Sequence, residues 1–337
     1  MGIFGSIHRT NQEAPGRGPV AIADGTVPGT FDTIAGMSYE AKLLRLDARF
    51  PLKRGVITGG ASGLGYAAAE WLARRGWRLA LLDLDAARLG EAIRALTGLG
   101  AAEVVTHVVD TGDEAAVRRA VDSFAHAMGG LDFALNSAGV AAAGSFLETP
   151  HEDWEWILRV NVLGVVNSCR AELPHMLASG GGLVINVASA ASFVSVAGMS
   201  AYNASKAAVV SASETLYHDL KLAGSRIGVS VLCPAFVPTA IFASERNRPA
   251  DLANAAPPTA SQRLARAAGE KAVAGGRLGA DEIAAQTFEA IRANRFYVFT
   301  HPQIMPSVRA RIEAALEGKA PADPYAGRPG TRPATTG

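Results

Sequence analysis

Hydrophobic positions along this chain follow two rhythms. Short apolar runs of four to seven residues close on a polar or small residue, and between them lie stretches where apolar side chains return every three or four positions. The first pattern marks buried strands and the second marks amphipathic helices. Strands are predicted at 55–58, 77–83, 103–109, 131–135 and 182–188, and helices at 66–75, 86–96, 113–128, 154–177 and 200–222. Further on, 281–293 reads as a helix and 295–300 as a final strand. Strands alternating with helices imply right-handed crossovers, a parallel sheet, and a ligand crevice at the strands' carboxyl ends.

The rhythm fails at three places. Residues 1–35 hold many Gly, Pro and Thr without sustained periodicity, the composition of an arm with little structure of its own. Within 38–50, Tyr39, Leu43, Leu44, Leu46 and Phe50 are spaced as a short amphipathic helix. The extension reads either as a disordered tail or as an arm packed on a neighbouring subunit. Residues 240–276 are rich in Ala, Pro and Arg and read as a mobile lid. After Leu316 the chain turns Pro- and Gly-rich. The expected organisation is therefore an extension at 1–50, one domain at 51–302 carrying a lid at 240–280, and a helix with a disordered tail at 303–337.

Composition narrows the class. With 337 residues, 49% hydrophobic and 19% charged, the chain has ample length for a full core. Its formal charge is +1, so no general field draws it to nucleic acid or to an anionic membrane. No apolar stretch reaches the ~18 residues needed to span a bilayer, and no secretory n-region and h-region precede the core, which sets the expectation of a cytoplasmic protein. The two cysteines, Cys169 and Cys233, have no metal or disulfide spacing, and the histidines form no HExxH, so no metal is expected.

The candidate chemistry lies where strands end. Gly59, Gly63 and Gly65 follow the first strand and open a helix, which lets backbone N–H groups approach a pyrophosphate at the helix N-terminus. That is a dinucleotide cradle. Asp83 ends the second strand, twenty residues after Gly63, where a carboxylate accepts hydrogen bonds from an adenosine ribose and repels a 2′-phosphate; the alternative is that Asp83 or Asp85 caps the next helix. Asp110-Thr111 follows the third strand, at the place of an adenine edge, and Asn136-Ser-Ala-Gly139 follows the fourth; both also read as turn chemistry. Ser189 ends the strand at 182–188, and Ser192 and Ser195 are its rivals as a substrate-polarising hydroxyl. Tyr202 and Lys206, four residues apart on a helix, share one face. An ammonium beside a phenol favours the phenolate.

Thr58-Gly-Gly-Ala-Ser-Gly-Leu-Gly65, Asp110, Asn136-Ser-Ala-Gly139, Asn161, Ser189, Tyr202-x-x-x-Lys206 and Pro234-Ala-Phe-Val-Pro-Thr239 together resemble the short-chain dehydrogenase/reductase family over about residues 53–240. The resemblance implies a Rossmann-like, doubly wound parallel sheet and an NAD-dependent oxidoreductase. It makes Tyr202 the acid/base, Ser189 the group that orients the substrate oxygen, and Lys206 the residue that lowers the phenol pKa and bonds the nicotinamide ribose. Asn161 would hold a water that links Lys206 to solvent. Cofactor contacts are implied for Thr58, Gly59, Ser62, Gly63, Leu64, Gly65, Asp83, Asp110, Thr111, Asn136, Ala138, Gly139, Pro234, Val237 and Thr239, besides Tyr202 and Lys206. Ser137 in place of a second Asn, and Ala235 in place of the usual Gly, depart from the family pattern.

The flanking residues set the substrate expectation. Val140-Ala-Ala-Ala143, Phe193, Val194, Val196, Phe236, Val237, Ile241 and Phe242 favour a hydrophobic, ring-bearing secondary alcohol or its ketone, while Arg246, Arg248 and Arg263 on the lid offer an acidic tail an anchor. Apolar residues on more than one face of the helices at 154–177 and 200–222, Val162, Val165, Val166, Val209, Val210 and Leu216 among them, point to a homodimer or homotetramer. The competing functions are an NADPH-dependent ketoacyl-type reductase and an NAD-binding regulator without turnover.

Overall fold

A computed structural model describes residues 49–324, and the helix read at 38–50 lies outside it except for its last two residues, as do most of the extension and the last part of the tail. In chain order the elements are β1 (Arg54–Thr58), α1 (Gly63–Ala73), β2 (Arg78–Asp83), α2 (Ala86–Gly98), β3 (Glu103–Val108), α3 (Glu114–Met128), β4 (Phe133–Asn136) and α4 (His151–Leu158). After a π-helical turn at Arg159–Leu163 come α5 (Gly164–Ala178), β5 (Gly182–Val187), α6 (Ser200–Leu222), β6 (Ile227–Leu232), α7 (Ala260–Ala274), α8 (Ala280–Arg292), β7 (Tyr297–Val298) and α9 (Met305–Leu316).

The seven strands form one parallel sheet in the order β3-β2-β1-β4-β5-β6-β7. Side chains alternate between its faces. Ile57, Leu79, Leu81, Phe133, Leu135 and Ile185 pack under α1 and α8, where Trp71 stacks on Phe288 with ring centres 3.9 Å apart. Val56, Ala80, Leu82, Ala134, Val184 and Val231 pack on the other face, with Val117 and Phe124 of α3, Val165 of α5 and Val209 of α6. Both faces are covered, which is why the strands read as continuous apolar runs.

The fold departs from the pattern in four places. Strand β6 was not among the predicted elements, because Gly228 and Ser230 interrupt its apolar run. The helix expected at 154–177 begins at His151 and is broken by the π turn that carries Asn161. The last strand is reduced to two residues at the sheet's edge. The lid is built of two 3-10 turns, Ile241–Asn247 and Ala250–Leu252, followed by α7.

A polar network sits inside the apolar core between the central strands and α5. Asn136 Nδ2 donates to Asn186 Oδ1 at 2.9 Å and to Glu172 Oε2 at 3.2 Å, and Asn186 Nδ2 donates to Ser213 Oγ of α6 at 2.9 Å. Glu172 is fully buried, and its other oxygen has no hydrogen-bond partner among the described residues. Burial pushes its carboxyl up to about 8 from an ordinary 4.5, with the Asn136 bond opposing. A neutral carboxyl tolerates that site better than a carboxylate. As pH rises from about 4.5 to about 8, the unfolded chain gives up this proton while the folded chain keeps it, so the wild type loses stability over that window. Glu172→Gln cannot ionise. Its melting temperature relative to wild type is expected to rise between about pH 4.5 and about pH 8; a difference that stays constant across paired thermal melts would show that Glu172 is not held neutral.

Candidate active site

The crevice opens where β1 and β4 lie side by side. The chain leaves β1 through Gly59, at φ +64°, where a Cβ would come within 2.8 Å of Ala138 N. Gly65 is equally confined, since a Cβ there would collide with Gly59 O. The helix α1 starts at once, and its N-cap Ser62 makes no side-chain cap bond, so the first-turn N–H groups are left for a ligand. Asp83 braces this loop: its carboxylate accepts from Ala61 N at 3.0 Å and from Asp85 N at 3.1 Å. Asp85, not Asp83, caps α2, accepting from Arg88 N. Asp110 accepts from Gly112 N at 2.8 Å and from Arg159 Nη2 at 3.0 Å, and Asn167 holds the carbonyl of Thr111 at 2.9 Å.

One cavity of about 570 Å³ runs along these strand ends. Gly59, Ser62, Gly63, Leu64, Asp83, Asp110, Thr111, Ala138, Gly139, Ser189, Tyr202, Lys206, Pro234, Val237 and Thr239 line it. Thr58, Gly65, Asn136 and Asn161 do not. Thr58 Oγ1 accepts from Ala138 N at 3.4 Å behind the wall, Gly65 seats α1 against the loop, and the Asn136 amide belongs to the buried Glu172 network.

At the catalytic end Ser189 and Tyr202 both line the cavity, and Ser189 Oγ donates to Pro234 O at 3.4 Å. Its Oγ also accepts from Ala191 N at 3.1 Å. Of its rivals, Ser192 donates to the carbonyl of Lys206 at 2.8 Å and Ser195 is exposed; neither lines the cavity. Lys206 donates its Nζ to Val187 O at 2.9 Å and stands 5.8 Å from the Tyr202 ring centre. Asn161 spends both amide hydrogens, one on Val140 O at 3.0 Å and one on Ser205 Oγ at 3.0 Å, while its Oδ1 accepts from Val140 N at 2.8 Å. Its side chain therefore fixes the loop after β4, with no donor left for a water beside Lys206. The expected lowering of the phenol by Lys206 is not what the protein's own groups produce. Burial pushes Tyr202 up, with Ser189 opposing, and burial pushes Lys206 down to about 8.

Apolar residues supply much of the remaining lining. Val140, Ala141, Val194, Val196, Phe236, Ile241 and Phe242 are there as expected, but Ala142 and Ala143 are not, and Phe193 turns away to pack on Tyr297 and Phe299. Trp156, Met199, Ala265, Ala268 and Val273 complete the wall, and the sequence pattern had not singled them out. The lid is tied down: Arg248 pairs with the buried Asp153 of α4 at 2.6 Å, pairs with Glu245 at 2.7 Å, and covers Trp156 at 4.1 Å. Arg248 is thus committed to the fold and Arg263 lies off the cavity, which leaves only Arg246 of the five arginines within 240–280 on the lining. His301 supports the loop after β6 by accepting from Ala235 N at 3.2 Å, and burial lowers its pKa.

A glycine cradle at the first βα turn and a Ser, Tyr and Lys set at the ends of β5 and α6 define a nucleotide-dependent oxidoreductase on a doubly wound sheet. The family model for short chain dehydrogenase matches residues 53–250, and the chain belongs to that family, whose members act on CH–OH groups. It is 35% identical over 269 residues to the CLA biosynthesis dehydrogenase/reductase of Lactiplantibacillus plantarum, covering 79% of this chain and 93% of that one. It is 30% identical to the C alpha-dehydrogenase of Sphingobium sp., covering 81% and 88%. A short chain dehydrogenase/reductase from Burkholderia phymatum, solved in complex with NAD, superposes with a TM-score of 0.79 at 44% identity over 80% of this chain and 96% of its own. The residues present fit a nicotinamide dinucleotide: Gly59 and Gly65 let the loop fold tightly where any Cβ would collide with its backbone neighbours, and Gly59, Ser62, Gly63 and Asp83 line the cavity. Among the described residues no group of three His, Cys, Asp or Glu converges as a metal set, and no helix is long and apolar enough to cross a membrane.

Proposed function

We propose that this protein interconverts a hydrophobic, ring-bearing secondary alcohol and its ketone, using NAD. The observation that carries the reading is that Ser189 and Tyr202 line a cavity together with Val140, Ala141, Val194, Val196, Phe236, Ile241 and Phe242, an apolar set suited to a carbon skeleton. Such walls bind by burying carbon, at about 25 cal/mol per Å², and would leave the extra hydroxyls of a polyol unmatched. The nicotinamide, when bound, accepts or returns hydride. Ser189 orients the substrate oxygen and Tyr202 takes its proton during oxidation. Lys206 keeps a positive charge behind the phenol, which favours the phenolate once a second cation shares the site.

NAD is favoured over NADP by Asp83, a carboxylate held in place by two backbone N–H groups. The nearby cation Arg88 is paired with Asp85 at 3.4 Å and so is not set to receive a 2′-phosphate. The name of the NAD-bound Burkholderia phymatum relative supports the same choice. We also infer a homodimer or homotetramer. Val165, Val209 and Val210 serve the chain's own core, but Leu158, which ends α4, is 38% exposed and Leu163, which ends the π turn, is 52% exposed, an apolar pair suited to a second copy.

Three outcomes are expected. A panel of secondary alcohols and ketones, followed by the absorbance of reduced nicotinamide, should give the highest kcat/KM with benzylic or alicyclic alcohols and with NAD; preference for a polyol, a short hydroxy acid or NADP would overturn the reading. Tyr202→Phe should lose at least about a hundredfold in kcat while NADH affinity measured by fluorescence changes by no more than a few-fold, and full turnover in that variant would remove Tyr202 from the chemistry. Light scattering should report a species larger than one chain at micromolar concentration, and a monomer would dismiss the assembly.

A further inference from the structure

Seven charged side chains line the cavity: Asp83, Asp85, Arg88, Asp110, Arg159, Lys206 and Arg246. Arg88 is paired with Asp85 at 3.4 Å, and Arg159 with Asp110 at 3.0 Å. Lys206 gives its Nζ to Val187 O. Arg246 differs from all of these. Its Nη1 donates to the carbonyls of Ala240 at 3.3 Å and Ala243 at 2.6 Å, and among the described residues no carboxylate pairs with it. Two bonds from one nitrogen fix the guanidinium's position and leave Nε and Nη2 without a partner of opposite charge.

The lid's path locates this cation along the crevice. At one end Thr239 lies against the opening of α1, where a Cβ on Gly63 would be 3.5 Å from Thr239 Cγ2. Ser244 then reaches the loop after β4, accepting from Ala141 N at 3.3 Å. At the other end Asp251 meets Arg159 at 3.8 Å, the same Arg159 that holds Asp110 below β3. The segment 239–251 therefore runs along the groove from the α1 cradle, past the loop after β4, to the Asp110 end, and Arg246 lies on that path, hydrogen-bonded to the residue that follows Thr239.

We propose that Arg246 is the second jaw of an anion clamp: it binds the pyrophosphate of the dinucleotide from the lid, on the side away from the first turn of α1. The inference rests on the cofactor reading given above. The helix N-terminus offers neutral N–H donors and a partial positive charge, which alone leaves most of a doubly negative group uncompensated. A guanidinium adds full charge in a planar fork that matches phosphate oxygens. Arg246 rides on a turn that Arg248 ties to Asp153, so the guanidinium is held over the groove before the cofactor arrives.

The test is fluorescence titration with NADH, and competition against it by ADP-ribose and by adenosine, for wild type, Arg246→Met and Arg246→Lys. Arg246→Met is expected to weaken NADH and ADP-ribose by about tenfold to a hundredfold and to leave adenosine within about twofold, since adenosine has no phosphate. Arg246→Lys should recover part of the loss, and added salt should narrow the gap between wild type and Arg246→Met. Unchanged NADH and ADP-ribose affinity in Arg246→Met would overturn the inference, and a rise in KM confined to acidic substrates would reassign the arginine to a substrate tail. Equal weakening of adenosine would overturn it too, as a general disturbance of the groove. Failure of the wild type to bind NADH at all would sink the cofactor reading itself, which separates the two.

Discussion

The close approach of two backbones at the carboxyl ends of β1 and β4 is the constraint on which the site depends. Strand order reverses between these neighbours: β2 and β3 lie to one side of β1, and β5 to β7 to the other side of β4. Their helical connections leave on opposite faces, so the space above the pair is left open. What may occupy it is decided by Gly59 and Ala138, whose backbones come so near that no side chain fits at position 59. The loop after β4 is then pinned by Asn161, whose amide closes on both backbone groups of Val140. A π turn at Arg159–Leu163 carries that asparagine. Adding one residue to a helical turn changes which side chain faces inward, and the broken helix is the cost of aiming Asn161 at Val140.

The chemistry rests on burial as much as on charge. Lys206 is only 4% exposed and its ammonium has been stripped of water, so it holds its proton less firmly than a free lysine. Tyr202 suffers the complementary effect and resists ionisation. The pair alone is thus poised in the less reactive sense, neutral phenol beside a weakened cation. Shifting it needs a further positive charge in the same dry space, and a dinucleotide carrying an oxidised nicotinamide brings one. Under the proposed function, activation of the Tyr202 phenol would thus be coupled to occupancy of the cradle.

Much of this was legible in the chain because its signals are local. The glycine loop, the acid that ends β2, and the Tyr202 and Lys206 spacing each fit inside one turn or one strand end, and the helix at 200–222 has the bounds the periodicity indicated. What was not legible is long-range. Asp110 is held by Arg159 across 49 residues, Asp153 by Arg248 across 95, and Ala235 by His301 across 66. None of these pairs has a spacing that a helix or strand imposes. The same limit explains Asn136 and Asn161, whose positions in their motifs were plain but whose amides turn into the fold instead of the cavity. Phe193 illustrates it for apolar residues: hydrophobicity beside the catalytic set placed it in the substrate lining, and only the edge at β7 decides that its partners are Tyr297 and Phe299.

The lid joins these two kinds of information. Its composition suggested mobility, yet its first turns are fastened by a buried ion pair: Asp153 is 2% exposed and accepts from both Arg248 and Asn254. Taking two charges out of water costs several kcal/mol per ion before pairing, so this contact is weak evidence of stability and better evidence of position. It fixes where the turn Ile241–Asn247 crosses the groove, and Phe242 adds a steric lock, because any Cβ at Gly269 of α7 would collide with its ring. Arg246 is thereby carried on a scaffold set in advance, with its conformational freedom spent in folding and not in binding. Preorganisation of that kind is how a single exposed arginine contributes to affinity what a floppy loop would lose to entropy.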